Sequence, residues 1–226
     1  MSVEYIDIHT HKETEIGSTI ISVQNHRVDV DVNLKHDGYS SIGIHPWDVK
    51  NAETFETRKT LFEKMISNNN VLMIGEIGLD KKVSNSIEHQ KVVFKQQMEF
   101  AKFHHLPTII HCVRSYQEII SVKKELNPSR IQIIHGYRGN KQTTESLLKQ
   151  GFYLSFGAYI LKGDPTVVES LRHTPLDKMF FETDDIADVG IKEVYQKAAE
   201  ILSVSVEEFK KHIYATFSDK VLNPCC

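Results

Sequence analysis

The chain has 226 residues, 40% hydrophobic and 25% charged, the composition of a soluble globular protein with a full core. Its net charge of −3 argues against a broad basic surface that would hold nucleic acid through many phosphate contacts, but not against a small basic mouth. No apolar run is long enough to span a membrane, MSVEYIDIHTH carries no visible signal peptide, and the three cysteines (two adjacent, Cys225 and Cys226) form no disulfide framework, so a reducing cytoplasm is expected.

Eight strand-like segments follow in order: Tyr5–His9, Ser18–Val23, Tyr39–Ile44, Val71–Glu76, Thr108–His111, Ile131–His135, Phe152–Phe156 and Met179–Glu182. Most are continuous apolar runs, as expected of parallel strands buried on both faces. Helical patterns lie between the later ones, at Ala52–Ser67, Glu88–His105, Tyr116–Leu126, Lys141–Gln150 and Pro165–Arg172. Ile191–Leu202 and Val206–Phe217 close the chain, the second with Ser205 and Glu208 spaced as a capping box. Repeated alternation of strand and helix predicts a TIM-type (β/α)8 barrel formed by residues 1–226 as one domain. Its first two β/α units are shortened. Only about eight residues separate the first two strand segments, too few for a crossover helix, and Asn25–Gly38 is polar, a loop or an extra extended piece.

Metal-ligand residue types stand where the apolar runs stop: His9 and His11 in IDIHTH, Glu76 in LMIGEIGLD, His111 in PTIIHC, His135 in IQIIHG and Asp184 in MFFETDD. Side chains at strand ends point out of the mouth of a barrel rather than into its filled core. Four imidazoles and two carboxylates there would bind one or two divalent cations and make a hydrolase the leading reading. His9 and His11, at i and i+2, share one face of a strand. With 12 histidines in the chain such a pair also arises by chance, and its place directly after YIDI is what raises it. Glu76 closes a run so apolar that its carboxylate needs a partner, a buried ion pair or a metal. Gly75 and Gly78 beside it suit a strained turn or a close backbone approach. His111 and His135 read either as ligands or as hydrogen-bonded core histidines. Asp184 is placed both to bind metal and to take a proton from a hydrolytic water.

Other residues could grip a substrate. Arg114 and Arg138 lie three residues beyond His111 and His135, as phosphate clamps or as solvated loop arginines. His45 is a candidate substrate contact, and Trp47 either stacks a base or caps the barrel. Cys112 reads as packing, and His104 and His105 as surface or packing residues.

With these residues assembled, the chain resembles the TatD family of metal-dependent deoxyribonucleases within the amidohydrolase superfamily. The motifs are D-I-H-T-H at Asp7–His11, G-I-H-P at Gly43–Pro46, I-G-E-I-G-L-D at Ile74–Asp80, L-P-T-I-I-H at Leu106–His111, H-G-Y-R-G at His135–Gly139 and E-T-D at Glu182–Asp184. The resemblance implies a TIM-type barrel, metal ligands at His9, His11, Glu76, His111, His135 and Asp184, and a hydrolytic water acting on phosphodiester bonds. Trp47 stands where the family commonly has a second His, Tyr137-Arg138-Gly139 replaces aromatic-Ser-Gly, Arg114 is displaced by one position, and no Pro follows E-T-D.

The resulting expectation is a phosphodiesterase, foremost a deoxyribonuclease acting on DNA or short oligonucleotides, with Asp184 and Glu76 as catalytic groups. His9, His11 and Asp184 would hold one cation and His111 and His135 the other, with Glu76 between them. The imidazoles favour Zn or Mn over Mg alone. No membrane and no obligate protein partner is expected. The alternatives are an amidohydrolase-type enzyme on a small amide, lactone or phosphoester, and a non-catalytic barrel used as a binding module. The short Lys12–Gly17 and helix-poor Asn25–Gly38 segments predict weak, poorly processive cleavage.

Overall fold

The computed structural model describes residues 4–13, 19–28, 38–68 and 70–223. Most of Lys12–Gly17 and of Asn25–Gly38, together with Cys225 and Cys226, lies outside them. The strands are β1 Tyr5–Thr10, β2 Ile20–Arg27, β3 Tyr39–Gly43, β4 Val71–Asp80, β5 Thr108–Val113, β6 Gln132–Ile134, β7 Tyr153–Phe156 and β8 Met179–Phe181. The helices are α1 Lys59–Ile66, α2 Ile87–Phe103, α3 Tyr116–Leu126, α4 Lys141–Lys149, α5 Pro165–His173, α6 Ile191–Leu202 and α7 Val206–Phe217. The sheet follows chain order from β1 to β8. That order, with a helix after each strand from β4 on, is the (β/α)8 barrel. Among the described residues no helix separates β1 from β2 or β2 from β3.

The chain forms two compact units, one of residues 1–24 and 133–226, the other of residues 25–132. In the first, β1 pairs in parallel with β2, and β7 with β6 and β8. β1 also meets the residues after β8, through a bridge between Thr10 and Asp184. Tyr195 on α6 donates its buried hydroxyl to the Ile6 carbonyl and accepts from the Ile6 amide, tying α6 to β1. Its ring packs on Phe181 and Phe209. Burying side chains of this size contributes roughly 1.5–3 kcal/mol each.

In the second unit β3, β4 and β5 pair in parallel. Two buried glutamines of α2, seven residues apart on one face, clasp backbone where β3 and β4 end. Gln97 bonds both the amide and the carbonyl of Ile44, and Gln90 those of Asp80. Phe55, Phe62 and Phe100 pack edge-to-face beneath them.

The Ala52–Ser67 helix is corrected: α-helix begins only at Lys59, after a 3₁₀ turn at Glu56–Arg58. Thr54 Oγ1 accepts from the amides of Lys50 and Asn51, and Asn51 Oδ1 from that of Glu53, so side chains hold the earlier residues in turns. β4 runs four residues beyond Glu76, and β2 extends to Arg27, which makes Asn25–Arg27 strand rather than loop. The Ser205 box is half formed: Ser205 Oγ accepts from the Glu208 amide, but the Glu208 carboxylate takes the Ser205 hydroxyl instead of the backbone.

Candidate metal centre

In the first unit the ligand candidates gather where β1 and β8 end. His9 is fully buried near the end of β1, and its Nε2 lies 3.5 Å from Asp184 Oδ1. His11, one residue past β1, brings its Nε2 to 3.7 Å from the same oxygen. Asp184 is fastened to β1 on both sides, its amide donating to the His9 carbonyl and its carbonyl accepting from the His11 amide. Its φ of +53° is left-handed, a conformation that Asp tolerates better than most residues.

Asp7 lies beneath this group. Its buried carboxylate accepts from the Thr183 amide at 3.0 Å and the Thr183 hydroxyl at 2.7 Å, next in chain to Asp184. Burial pushes the Asp7 carboxyl up to about 7, against the pull of those two bonds. Thr10 meets the Thr183 hydroxyl from the other side. His135, just past β6, packs its ring 4.4 Å from that of His9 and lies 3.5 Å from Glu182. Glu182 is almost fully buried and accepts from the Gly136 amide at 2.6 Å. Sequence reasoning gave Glu182 no role, although it ends the run MFF as Glu76 ends its own.

The second unit assembles another group. Glu76 Oε1 lies 2.7 Å from His111 Nδ1 and 3.2 Å from His45 Nε2, all three at least largely buried. His45, expected only as a substrate contact, thus stands among the ligand-competent residues. Its Nδ1 accepts from the Trp47 amide, which leaves Nε2 facing Glu76. Burial holds this imidazole below its usual value, with Glu76 opposing.

His111 Nε2 faces Asp80 at 3.3 Å, and Asp80 also accepts from the Trp47 indole at 2.8 Å. Burial pushes Asp80 up, but the Trp47, Lys82 and His111 bonds outweigh it and hold the carboxyl below its ordinary value. Asp80, quoted in the motif but given no role, orients His111 from the far side.

The backbone explains the placement. β4 and β5 change register between Ile74 and Ile77, a bulge at Gly75-Glu76 of the sort that re-aims a side chain. Gly78 has φ +149° and lies so close to β5 that a Cβ there would sit 1.9 Å from the His111 carbonyl oxygen. The expected close approach is therefore real, and it lies two residues from Glu76.

Arg138 is exposed and stacks its guanidinium 4.1 Å above the Tyr159 ring. Arg114 is exposed just past β5, with φ +55°. His104 packs on Phe100 and faces Glu63. Burial drives the Cys112 thiol up to about 12. Less than a thousandth of it is thiolate at pH 8, so iodoacetamide should modify Cys112 far more slowly in folded than in denatured protein, as read by peptide mass spectrometry. Equal rates would show a reactive thiol.

The donor sets are of the kind that holds a divalent metal. Two ligands on a metal at about 2.0–2.2 Å stand roughly 3–4 Å apart, and His9, His11 and Asp184 meet that at 3.5 and 3.7 Å. His45, Glu76 and His111 offer a second imidazole–carboxylate set at 2.7 and 3.2 Å.

Residues 9–220 match the family model described as TatD related DNase. The chain is 31% identical over 149 residues to the uncharacterized metal-dependent hydrolase YabD of Bacillus subtilis, covering 65% of this chain and 58% of that protein. It is 25% identical over 155 residues to the 3'-5' ssDNA/RNA exonuclease TatD of Pantoea sp., covering 66% of this chain and 59% of that protein. The match thus spans less than two thirds of the length of these curated relatives. The fold is shared with the crystal structure of the TatD homologue YJJV of Escherichia coli, with TM-score 0.84, 19% identity, and 99% of this chain and all of that one covered.

Proposed function

Because the chain belongs to the TatD related DNase family, we propose that it is a metal-dependent hydrolase that cleaves phosphodiester bonds in DNA, taking residues 1–226 as a single hydrolase domain. The observation that carries this reading is the pairing of imidazoles with carboxylates, His9 and His11 with Asp184 and His45 and His111 with Glu76. The proposed ligands are His9, His11, Glu76, His111, His135 and Asp184, with His45 beside Glu76. When bound, divalent cations supply Lewis-acid polarisation of the phosphoryl oxygens and a more acidic water. The nitrogen-rich set favours Zn or Mn over Mg.

The chain's own residues do the rest. Asp184, 31% exposed, accepts the proton of the attacking water. Glu76 keeps His111 oriented, and Asp80 holds the other ring nitrogen. Asp7, through Thr183, fixes the turn that presents Asp184. No described helix is long and apolar enough to cross a membrane, and the proposed setting is the cytoplasm.

Metal analysis of the purified protein, with a screen of single-stranded DNA, duplex DNA, RNA, small phosphoesters, amides and lactones, tests the reading. Hydrolysis confined to amides or lactones would replace it with the amidohydrolase alternative. Product lengths on a labelled strand and its duplex test the weak processivity expected of the shortened first units. Rapid processive degradation of duplex at physiological salt would contradict it.

Arg138→Ala should raise KM for an oligonucleotide and lower the slope of its salt dependence by about 1, with metal content unchanged. Stacked on Tyr159, the guanidinium is held in place at little entropic cost, as a phosphate contact requires. If Arg138→Ala and Arg114→Ala both match the parent on every phosphodiester, neither arginine grips phosphate.

A further inference from the structure

A cleft of about 650 Å³ opens in the second unit between the Pro46–Asp48 turn and the start of α2. Trp47, Lys50, Arg58, Asn85, Ser86 and His89 line it. Its size is that of a small-molecule site. Three features give it a chemical character.

The first is an aromatic surface held in place. Trp47, the single tryptophan of the chain, is 54% exposed. Its indole N–H is fixed on Asp80, and the ring packs edge-to-face on His45 with centroids 4.8 Å apart. The turn that carries it is clasped from across the cleft, where Asn85 Nδ2 donates to the carbonyls of Pro46, Trp47 and Val49. A large apolar ring kept exposed and rigid is what a base-stacking platform needs, because little freedom is lost on binding.

The second is charge. Lys50 and Arg58 bring two cations to the lining. The lining acid Asp48 is engaged in a two-bond pair with Arg27, both bonds 2.7 Å, and so does not oppose an anion. The first turn of the 17-residue α2, capped by Ser86, turns the positive end of its dipole the same way. This local excess sits in a chain of net charge −3.

The third is position. Trp47 belongs to both places, lining the cleft while its ring stands 6.3 Å from that of His111.

We infer that this cleft binds a nucleotide of the substrate strand adjacent to the one held at His45, Glu76 and His111, with the base on Trp47 and its phosphate toward Lys50 and Arg58. The inference rests on the phosphodiesterase reading for the identity of the strand. Cation and aromatic together select a nucleotide over an anion or an apolar ligand alone.

Binding can be read without cleavage, by titrating the metal-loaded protein with phosphorothioate-linked oligothymidylates of one to six units. Trp47 is the sole indole reporter, so its fluorescence should be quenched saturably, with Kd falling as the strand lengthens beyond one unit. By anisotropy of a labelled oligomer, Trp47→Leu should raise Kd at least about fivefold, the low end of base–aromatic stacking. Trp47→Phe should restore most of the loss, whereas a role confined to the indole N–H on Asp80 would leave Phe as weak as Leu. Lys50→Glu should weaken binding and lower the salt slope by about 1.

Absence of quenching, together with parental affinity in Trp47→Leu and Lys50→Glu, would overturn the subsite even if the protein proves an active nuclease. A mononucleotide that binds as tightly as the hexamer would overturn the link to the substrate strand and leave a free-nucleotide site. Length-dependent quenching in a protein that hydrolyses no phosphodiester would keep the cleft and remove the catalytic reading instead.

Discussion

Chelating divalent cations should abolish hydrolysis, and returning Mn or Zn should restore it. Glu76→Ala and Asp184→Ala should each lower turnover by about 10²–10⁴-fold, the range for loss of a positioned acid–base group. The two reach that loss by different routes. Glu76 sits between His45 and His111, so its removal deletes a proposed ligand together with the carboxylate that faces both buried imidazoles. Asp184 faces His9 and His11 and is partly exposed, so its removal deletes a ligand and a proton acceptor together. Because Asp184 occupies a left-handed backbone position, Asp184→Asn is the cleaner probe: Asn tolerates φ +53° and keeps the shape while losing the charge. Circular dichroism should show the fold retained in each case. Full turnover by rigorously metal-free protein, or parental turnover in Asp184→Asn, would remove the mechanism.

Gly78→Ala should be the most destabilising single-methyl change near the site. Two costs add. The backbone at φ +149° is nearly forbidden to a residue with a Cβ, and the new methyl would stand 1.9 Å from the His111 carbonyl, inside backbone that cannot swing aside. Strain and overpacking together come to about 3 kcal/mol or more. For a chain of this size that lowers Tm by roughly 6–12 °C. Gly163→Ala is the control, since Gly163 also has positive φ, +67°, but no atom within 4 Å of the added methyl. It should cost only the backbone term, about 1–2 kcal/mol. Thermal melts of the two variants decide the matter: equal shifts would mean that the close approach of β4 to β5 carries no penalty of its own.

The sites of the strands and most helices were legible because burial writes itself into local pattern. A parallel strand covered on both faces is a continuous apolar run, as IDIHT, VLMIG and TIIH are, and its last residues name the mouth. α3, α6 and α7 begin and end where their periodicity does, since caps and apolar faces are local properties. The start of α1 is not legible in the sequence, because Asn51 and Thr54 spend their side chains on nearby amides, a competition that composition alone does not display. The full length of β4 is hidden as well, because Ile77-Gly78-Leu79-Asp80 resembles a turn until β5 and Gln90 supply its backbone partners.

By itself, then, the sequence determined the barrel class and the six metal-ligand candidates, because strand-end position and residue chemistry are both local. Only the tertiary structure decided which side chains meet: His45 with Glu76, Asp80 with His111 and Trp47, Glu182 with His135, and Asp7 under Asp184 through Thr183. Those pairings join residues up to 176 positions apart, as Asp7 and Thr183 are, and depend on register. Moving a strand by one residue turns each side chain to the other face, so no pattern read along one segment could have chosen them.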